Sequence, residues 1–311
     1  MSYRYLFGPV PSRRLGISLG VDLVPHKVCT MDCVYCECGP TTDLTVERRP
    51  YVPTAEVIRE LDDYLAASPA PDFITFSGSG EPTLHRDLGR IARHIKDHYD
   101  VPLALLTNSS LFYRPDVRED ARPVDLLLPS LDSARPATLQ TVNRPHADVT
   151  VDRIVDGLAE FCRDWPGRCW LEIFIIPSCN TSAEELDAFQ AAIDRIAPER
   201  VQLNTADRPG TEDWVTAATP AELEAVAARL RHPAVEIISR YRHRRDIVAY
   251  RQDLESAILE TVARRPCTVD DLCATLGLRP AELHKYLDVL ESEKRIRPEI
   301  RARGVFYRLT R

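Results

Sequence analysis

A chain of 311 residues with 44% apolar and 28% charged residues has enough apolar material for a core and enough charge for a solvated surface. No run approaches the ~18 apolar residues that a membrane helix needs, and a net charge of −7 gives no global reason to bind nucleic acid. Nine cysteines, an odd number with no secretory segment, argue against a disulfide framework and for a reducing, cytoplasmic compartment.

The length predicts one large α/β unit plus a small appendage, with boundaries expected at 1–245 and 246–311. Strands are predicted over 19–24, 72–76, 103–106, 124–128, 170–176 and 200–203, where short β-rich apolar runs occur. Amphipathic helices are predicted between them over 54–67, 86–98, 151–165 and 182–196. Pro53 stands just before the first helix, and Thr181 and Ser182 are candidate caps for the last. Six strands alternating with helices imply a parallel sheet of βαβ units, either flat and doubly wound or curved into an open barrel. Beyond the sixth strand come a helix over 218–232, a strand over 235–238 and a basic run, Arg240 to Arg245. Three further helical patterns, 254–263, 269–276 and 280–291, precede a hairpin that Gly304 turns, the order of a winged helix.

Cys29, Cys33 and Cys36 lie at spacing C-x3-C-x2-C in the loop after the first predicted strand. Three thiolates can hold three irons of a four-iron, four-sulfur cubane and leave the fourth iron open to a ligand. A structural zinc site would need a fourth ligand, which Cys38 could supply, although structural zinc usually uses well-separated C-x2-C pairs. The remaining thiols form no second set. Cys169 and Cys179 flank a strand whose ends lie roughly 20 to 30 Å apart at ~3.3 Å per residue, and Cys162, Cys267 and Cys273 read as packed thiols.

The cysteine motif resembles that of the radical S-adenosylmethionine (SAM) superfamily. Its members bind the SAM amino and carboxylate groups to the open iron of a 4Fe-4S cluster. They split SAM reductively to a 5′-deoxyadenosyl radical that abstracts hydrogen from a substrate. The resemblance implies an open (β/α)6 partial barrel and an electron donor such as flavodoxin or ferredoxin. It is reinforced by Ser77-Gly78-Ser79-Gly80-Glu81-Pro82 at the second strand end, which resembles the Gly-Gly-Glu-Pro element that binds the methionine amino group. Ser79 stands where that element usually has its first glycine. Thr107-Asn108 and Ser130-Leu131-Asp132, at the next two strand ends, look like elements that reach the ribose, the carboxylate or the substrate. Each could instead cap a helix.

Phe7 to Gly16, Asp22 to Lys27 and Asn143-Arg144-Pro145-His146 together resemble a subgroup of iron-sulfur oxidoreductases related to wyosine synthetases. The resemblance therefore implies a cluster on Cys29, Cys33 and Cys36, a SAM site at Gly78, Gly80, Glu81, Thr107, Asn108 and Ser130, and substrate-side candidates Arg13, Arg14, Asp132, Arg144 and His146. Wyosine chemistry itself would call for cysteines upstream of the barrel and a Schiff-base lysine. No cysteine precedes Cys29, and of four lysines only Lys27 is near, where it reads as a solvated loop charge. Glu172, within the fifth strand, must point outward or have a partner.

The substrate is not legible. RNA is favoured by the subgroup and by the Arg240 to Arg245 patch with its interleaved Tyr241, and a peptide or protein comes next. A rival reading is a redox-responsive nucleic-acid-binding regulator that uses the winged helix. The third helix of that module is too acidic to favour DNA phosphates, and Arg295, Arg297, Arg301, Arg303 and Arg308 in the wing partly restore the balance.

Overall fold

The computed structural model describes residues 3–12, 14–207, 210–238, 254–278, 280–301 and 304–310; Arg13, the 240–245 run and Arg303 lie outside the described residues. One eight-stranded sheet contains β1 (Leu6–Ser12), β2 (Gly16–Val21), β3 (Phe73–Phe76), β4 (Leu103–Thr107), β5 (Leu126–Pro129), β6 (Arg168–Ile175), β7 (Arg200–Thr205) and β8 (Val235–Ile237), adjacent in that order. All neighbours pair in parallel except β1 and β2. Strand order decides between the two architectures that periodicity left open. A doubly wound sheet reverses its order at a switch point, whereas here each strand is added to the same side, so right-handed crossovers leave the helices on one face. That is the open-barrel arrangement.

The pleat separates two apolar sets. Leu103, Leu105, Leu127 and Leu171 pack into the main core with the helices, while Ala104, Leu126, Leu128 and Trp170 gather on the inner face with Leu15. The helices are α1 (Thr54–Ala67), α2 (Leu88–His98), α3 (Pro115–Ala121), α4 (Val151–Arg163), α5 (Ala183–Ile196) and α6 (Pro220–Arg229). Ser182 caps α5 by accepting the Glu185 amide at 3.2 Å, and Pro53 occupies the N-cap of α1 without a side-chain bond.

Several short or atypical elements escaped the sequence reading, β1 and α3 among them. The β1 strand contains Gly8, Pro9 and Pro11, residues that depress strand propensity, and it is tolerated because it is an edge strand with a register break between Phe7 and Val10. Helix α3 has only seven residues, too short for periodicity to register.

Helices α7 (Leu254–Arg264), α8 (Val269–Leu276) and α9 (Pro280–Ser292) pack with β9 (Cys267–Thr268), β10 (Ile296–Arg301) and β11 (Gly304–Leu309) around a separate core that includes Ile258, Leu272, Leu287 and Tyr307. The antiparallel β10–β11 hairpin closes with Arg301 opposite Gly304, where the turn was expected. Three of the described arginines here are paired. Arg295 pairs with Glu255, Arg301 with Asp213 and Glu299, and Arg308 with Glu299, which lowers the charge available to DNA phosphates. Arg264, at the end of α7, bonds Asp22 at 2.9 Å and lies 4.4 Å over the Phe7 ring, tying these helices to the barrel. Among the described residues no helix is long and apolar enough to cross a membrane.

Candidate cluster and cofactor site

Cys29, Cys33 and Cys36 lie in the loop that leaves β2, beneath the C-terminal ends of the parallel strands, where ligands are expected in such sheets. The loop is held by distant backbone. The Asp32 amide bonds the Asn143 and Arg144 carbonyls, the Val34 amide bonds Val142, the His146 amide bonds Thr30, and Met31 bridges Pro145. The Asn143-Arg144-Pro145-His146 motif thus forms a clamp on the cysteine loop. Arg144, at φ 44°, sends its guanidinium to Glu212 at 2.6 Å. The His146 ring accepts the Asp148 amide at 3.2 Å.

Each of the three cysteines has a side-chain N–H beside it. Asn108 Nδ2 lies 3.5 Å from Cys29 Sγ, Asn143 Nδ2 3.4 Å from Cys33 Sγ, and Lys27 Nζ 3.1 Å from Cys36 Sγ. Lys27 is therefore no solvated loop charge. It is 2% exposed, because its amide pairs with the Ser79 carbonyl at 2.9 Å and the chain folds over it. Burial pushes the Cys29 thiol up to about 11 and Cys33 well up, whereas Cys38 donating to Cys36, with the Lys27 ammonium beside it, brings Cys36 down to about 6. Cys38 also reaches the Gly78 carbonyl at 3.9 Å. The Cys162 and Cys169 thiols lie beside one another across the α4–β6 connection, a juxtaposition that the sequence did not suggest.

The Ser77 to Pro82 element packs against this loop. The Glu81 amide bonds the Val28 carbonyl, and a Cβ on Gly80 would lie 2.0 Å from that oxygen, so only glycine permits the approach. The serine at position 79 has a local reason, since its amide and hydroxyl both donate to Asp22 Oδ2, at 3.2 and 2.7 Å. Gly78, at φ +144°, lies against the same carboxylate.

Glu81 is placed differently from an open acceptor. It is 2% exposed and receives the Thr83 amide and hydroxyl, the Thr107 hydroxyl and the Asn108 amide at 2.5 to 3.1 Å, so it ties two strand ends together. Burial raises its pKa against the pull of those donors. Ser130 contributes backbone, its amide bonding the Thr107 carbonyl and its carbonyl accepting the Ser109 hydroxyl at 3.0 Å.

Asp132 is also buried. It accepts from the Tyr35 hydroxyl, from Asn143 at 3.1 Å and from the Phe174 amide at 3.0 Å, and burial pushes it up to about 6. Tyr35 in turn stacks on Phe174 with ring centroids 4.0 Å apart. Deeper in the barrel, Arg14 pairs with Glu172, and Asn204 donates to the same carboxylate at 3.4 Å, which resolves the question of Glu172's partner. A cavity of about 310 Å³ lies at this mouth, lined by Phe7, Ser12, Arg14, Cys38, Gly78 and Arg264 among others. Sequence reasoning missed Asn143 as a donor and Asp22 as an anchor; both belong to motifs already quoted, but only position in the motif could have pointed to them.

The profile of the Radical SAM superfamily matches residues 23–189. A UPF0026 protein of Methanocaldococcus jannaschii is 35% identical over 222 residues, which are 71% of this chain and 68% of that one. A UPF0026 protein of Synechocystis sp. is 35% identical over 205 residues, 66% of this chain and 76% of that one. A protein named GTPase Obg from Brachyspira hyodysenteriae is 40% identical over 219 residues, and this chain spans only 32% of its length. Among solved structures, a radical SAM methyltransferase from Sphaerobacter thermophilus has a TM-score of 0.56 at 13% identity, covering 71% of this chain and 65% of that one. Streptococcus suis SuiB bound to S-adenosylmethionine has a TM-score of 0.50 at 13% identity, covering 70% and 46%. Identities this low speak to the fold, which is the one described above. The profile spans more than half of the sequence, and on that ground the chain belongs to the radical SAM superfamily, with a 4Fe-4S cluster and S-adenosylmethionine as its cofactors.

Proposed function

We propose that this chain is a radical SAM enzyme in which Cys29, Cys33 and Cys36 are the cluster ligands and the Gly78 to Glu81 element receives the methionine end of SAM. The observation that carries this reading is the set of three loop thiols, each with its own N–H donor, packed directly against that glycine-containing element. Such a donor set suits thiolates that carry a shared anionic cluster. Asp22 Oδ1 adds to the fit, because it is buried beside Gly78 without a hydrogen-bond partner and is suited to an ammonium group. The cluster and SAM, when bound, supply one-electron cleavage and hydrogen abstraction.

The chain's own residues bind and orient. Glu81 holds Thr107 and Asn108 in register with the cysteine loop, and Ser130 fixes the neighbouring strand end through its backbone. Arg14, tethered by Glu172, lines the cavity and is the substrate-side group placed at it among the described candidates. Arg144 and His146 act by clamping the cysteine loop, and Asp132 by anchoring Tyr35 and Asn143. The cavity fits a small substrate or a single residue or base of a larger one, RNA or protein. A low-potential protein of the flavodoxin or ferredoxin kind would supply electrons. Anaerobically reconstituted protein, reduced with dithionite and given SAM, is expected to release 5′-deoxyadenosine. Stoichiometric tetrahedral zinc without iron after reconstitution would overturn the proposal.

A further inference from the structure

Three donors on three separate segments converge on the cysteine loop, and they are not equivalent. Asn108, after β4, and Asn143, at the end of the 139–143 turn, offer neutral amides, while Lys27 offers a cation. Lys27 is buried, its ammonium lies 3.1 Å from Cys36 Sγ, and the ionisable groups that act most strongly on it are Cys36, Cys29 and Cys38. A buried cation without a counter-charge is costly, so this position makes sense when the sulfurs beside it are anionic. Its backbone adds an independent sign. Lys27 sits at φ 60°, in the left-handed region that residues with a Cβ rarely occupy and that persists where the surroundings enforce it.

We propose that Lys27 is a positioning residue whose fixed charge raises the reduction potential of the cluster, with Asn108 and Asn143 as weaker neutral supports. Reduction takes one electron from an external donor, dithionite in the test, and adds one negative charge without uptake of a proton. That charge is shared with the cluster thiolates, so a cation 3.1 Å from Cys36 Sγ favours the reduced form over the oxidised one. The inference rests on the ligand assignment proposed above.

The test compares wild type, K27M, K27R and N143L, each reconstituted anaerobically, by iron and sulfide content and by the midpoint from EPR-monitored potentiometry. K27M is expected to load as much iron as wild type. At a fixed ambient potential its reduced-to-oxidised ratio should fall about tenfold, a downward shift of about 59 mV for a one-electron couple. K27R, which restores the charge, should recover most of that shift, and N143L should show a smaller one. An unchanged midpoint in K27M overturns the proposal. So does K27M that holds no iron, since Lys27 would then serve assembly, and so does an N143L shift as large as that of K27M, since charge would not be the determinant. Failure of wild type to hold four irons would instead sink the ligand assignment.

Discussion

Replacing Asp132 by Asn tests whether burial at the barrel mouth controls charge as the geometry implies. The carboxyl is 4% exposed and titrates at about 6 in place of its ordinary 3.8, with burial the largest cause. Between those two values the folded chain holds a proton that the unfolded chain has released, so stability falls as pH rises from about 4 through about 6 and is level above. The full cost to the ionised protein is about 3 kcal/mol at 1.36 kcal/mol per pKa unit, of which about 2 kcal/mol falls between pH 4.5 and pH 7. Asp132→Asn removes the titration. It also places an amide where the Tyr35 hydroxyl and Asn143 Nδ2 now donate, a mismatch worth about 1–3 kcal/mol that does not vary with pH. Urea denaturation of the metal-free protein at both pH values should therefore show the variant gaining about 2 kcal/mol on wild type between pH 4.5 and pH 7. Parallel curves would mean that Asp132 ionises as an ordinary surface carboxyl does, and the reasoning from burial would fail.

The remaining expectations concern ligands and their supports. Cys29→Ala, Cys33→Ala and Cys36→Ala should each abolish the iron absorption, while Cys38→Ala should keep it because the fourth iron must stay open; iron loss in the Cys38 variant would show that the ligand set is wrong. Glu81→Ala strands four donors, so a lower thermal midpoint should accompany any loss of SAM affinity; weaker SAM binding with an unchanged midpoint would mark Glu81 as a direct ligand rather than a strand tie. Arg264→Ala removes the partner of the carboxylate that holds Ser79, and a partly buried pair worth about 1 kcal/mol predicts a chain less stable by about that much in urea denaturation. Unchanged stability would mean that this pair contributes nothing to holding the C-terminal helices on the barrel.

Local chemistry made much of this protein legible. The cysteine spacing announced the cofactor, and strand and helix periods located the barrel elements to within a few residues, as in Thr54–Ala67, which fell where the pattern put it. The Gly78 to Glu81 turn could be recognised because a close backbone approach demands glycine at fixed offsets. What escaped depends on long returns of the chain. Asn143 is 110 residues from the cysteine it meets, Glu172 is 158 from Arg14, and Arg264 is 242 from Asp22, separations across which no periodicity carries information. Glu81 could be named as a site residue from its motif, yet its four donors come partly from a strand end 26 and 27 residues away, and only packing reveals that three of them crowd Oε1 and leave a single one on Oε2. Lys27 marks the limit most clearly. Its neighbours in sequence make it a loop lysine, and the Ser79 carbonyl and the Cys36 sulfur, brought to it by the closing of the sheet, make it a buried charge.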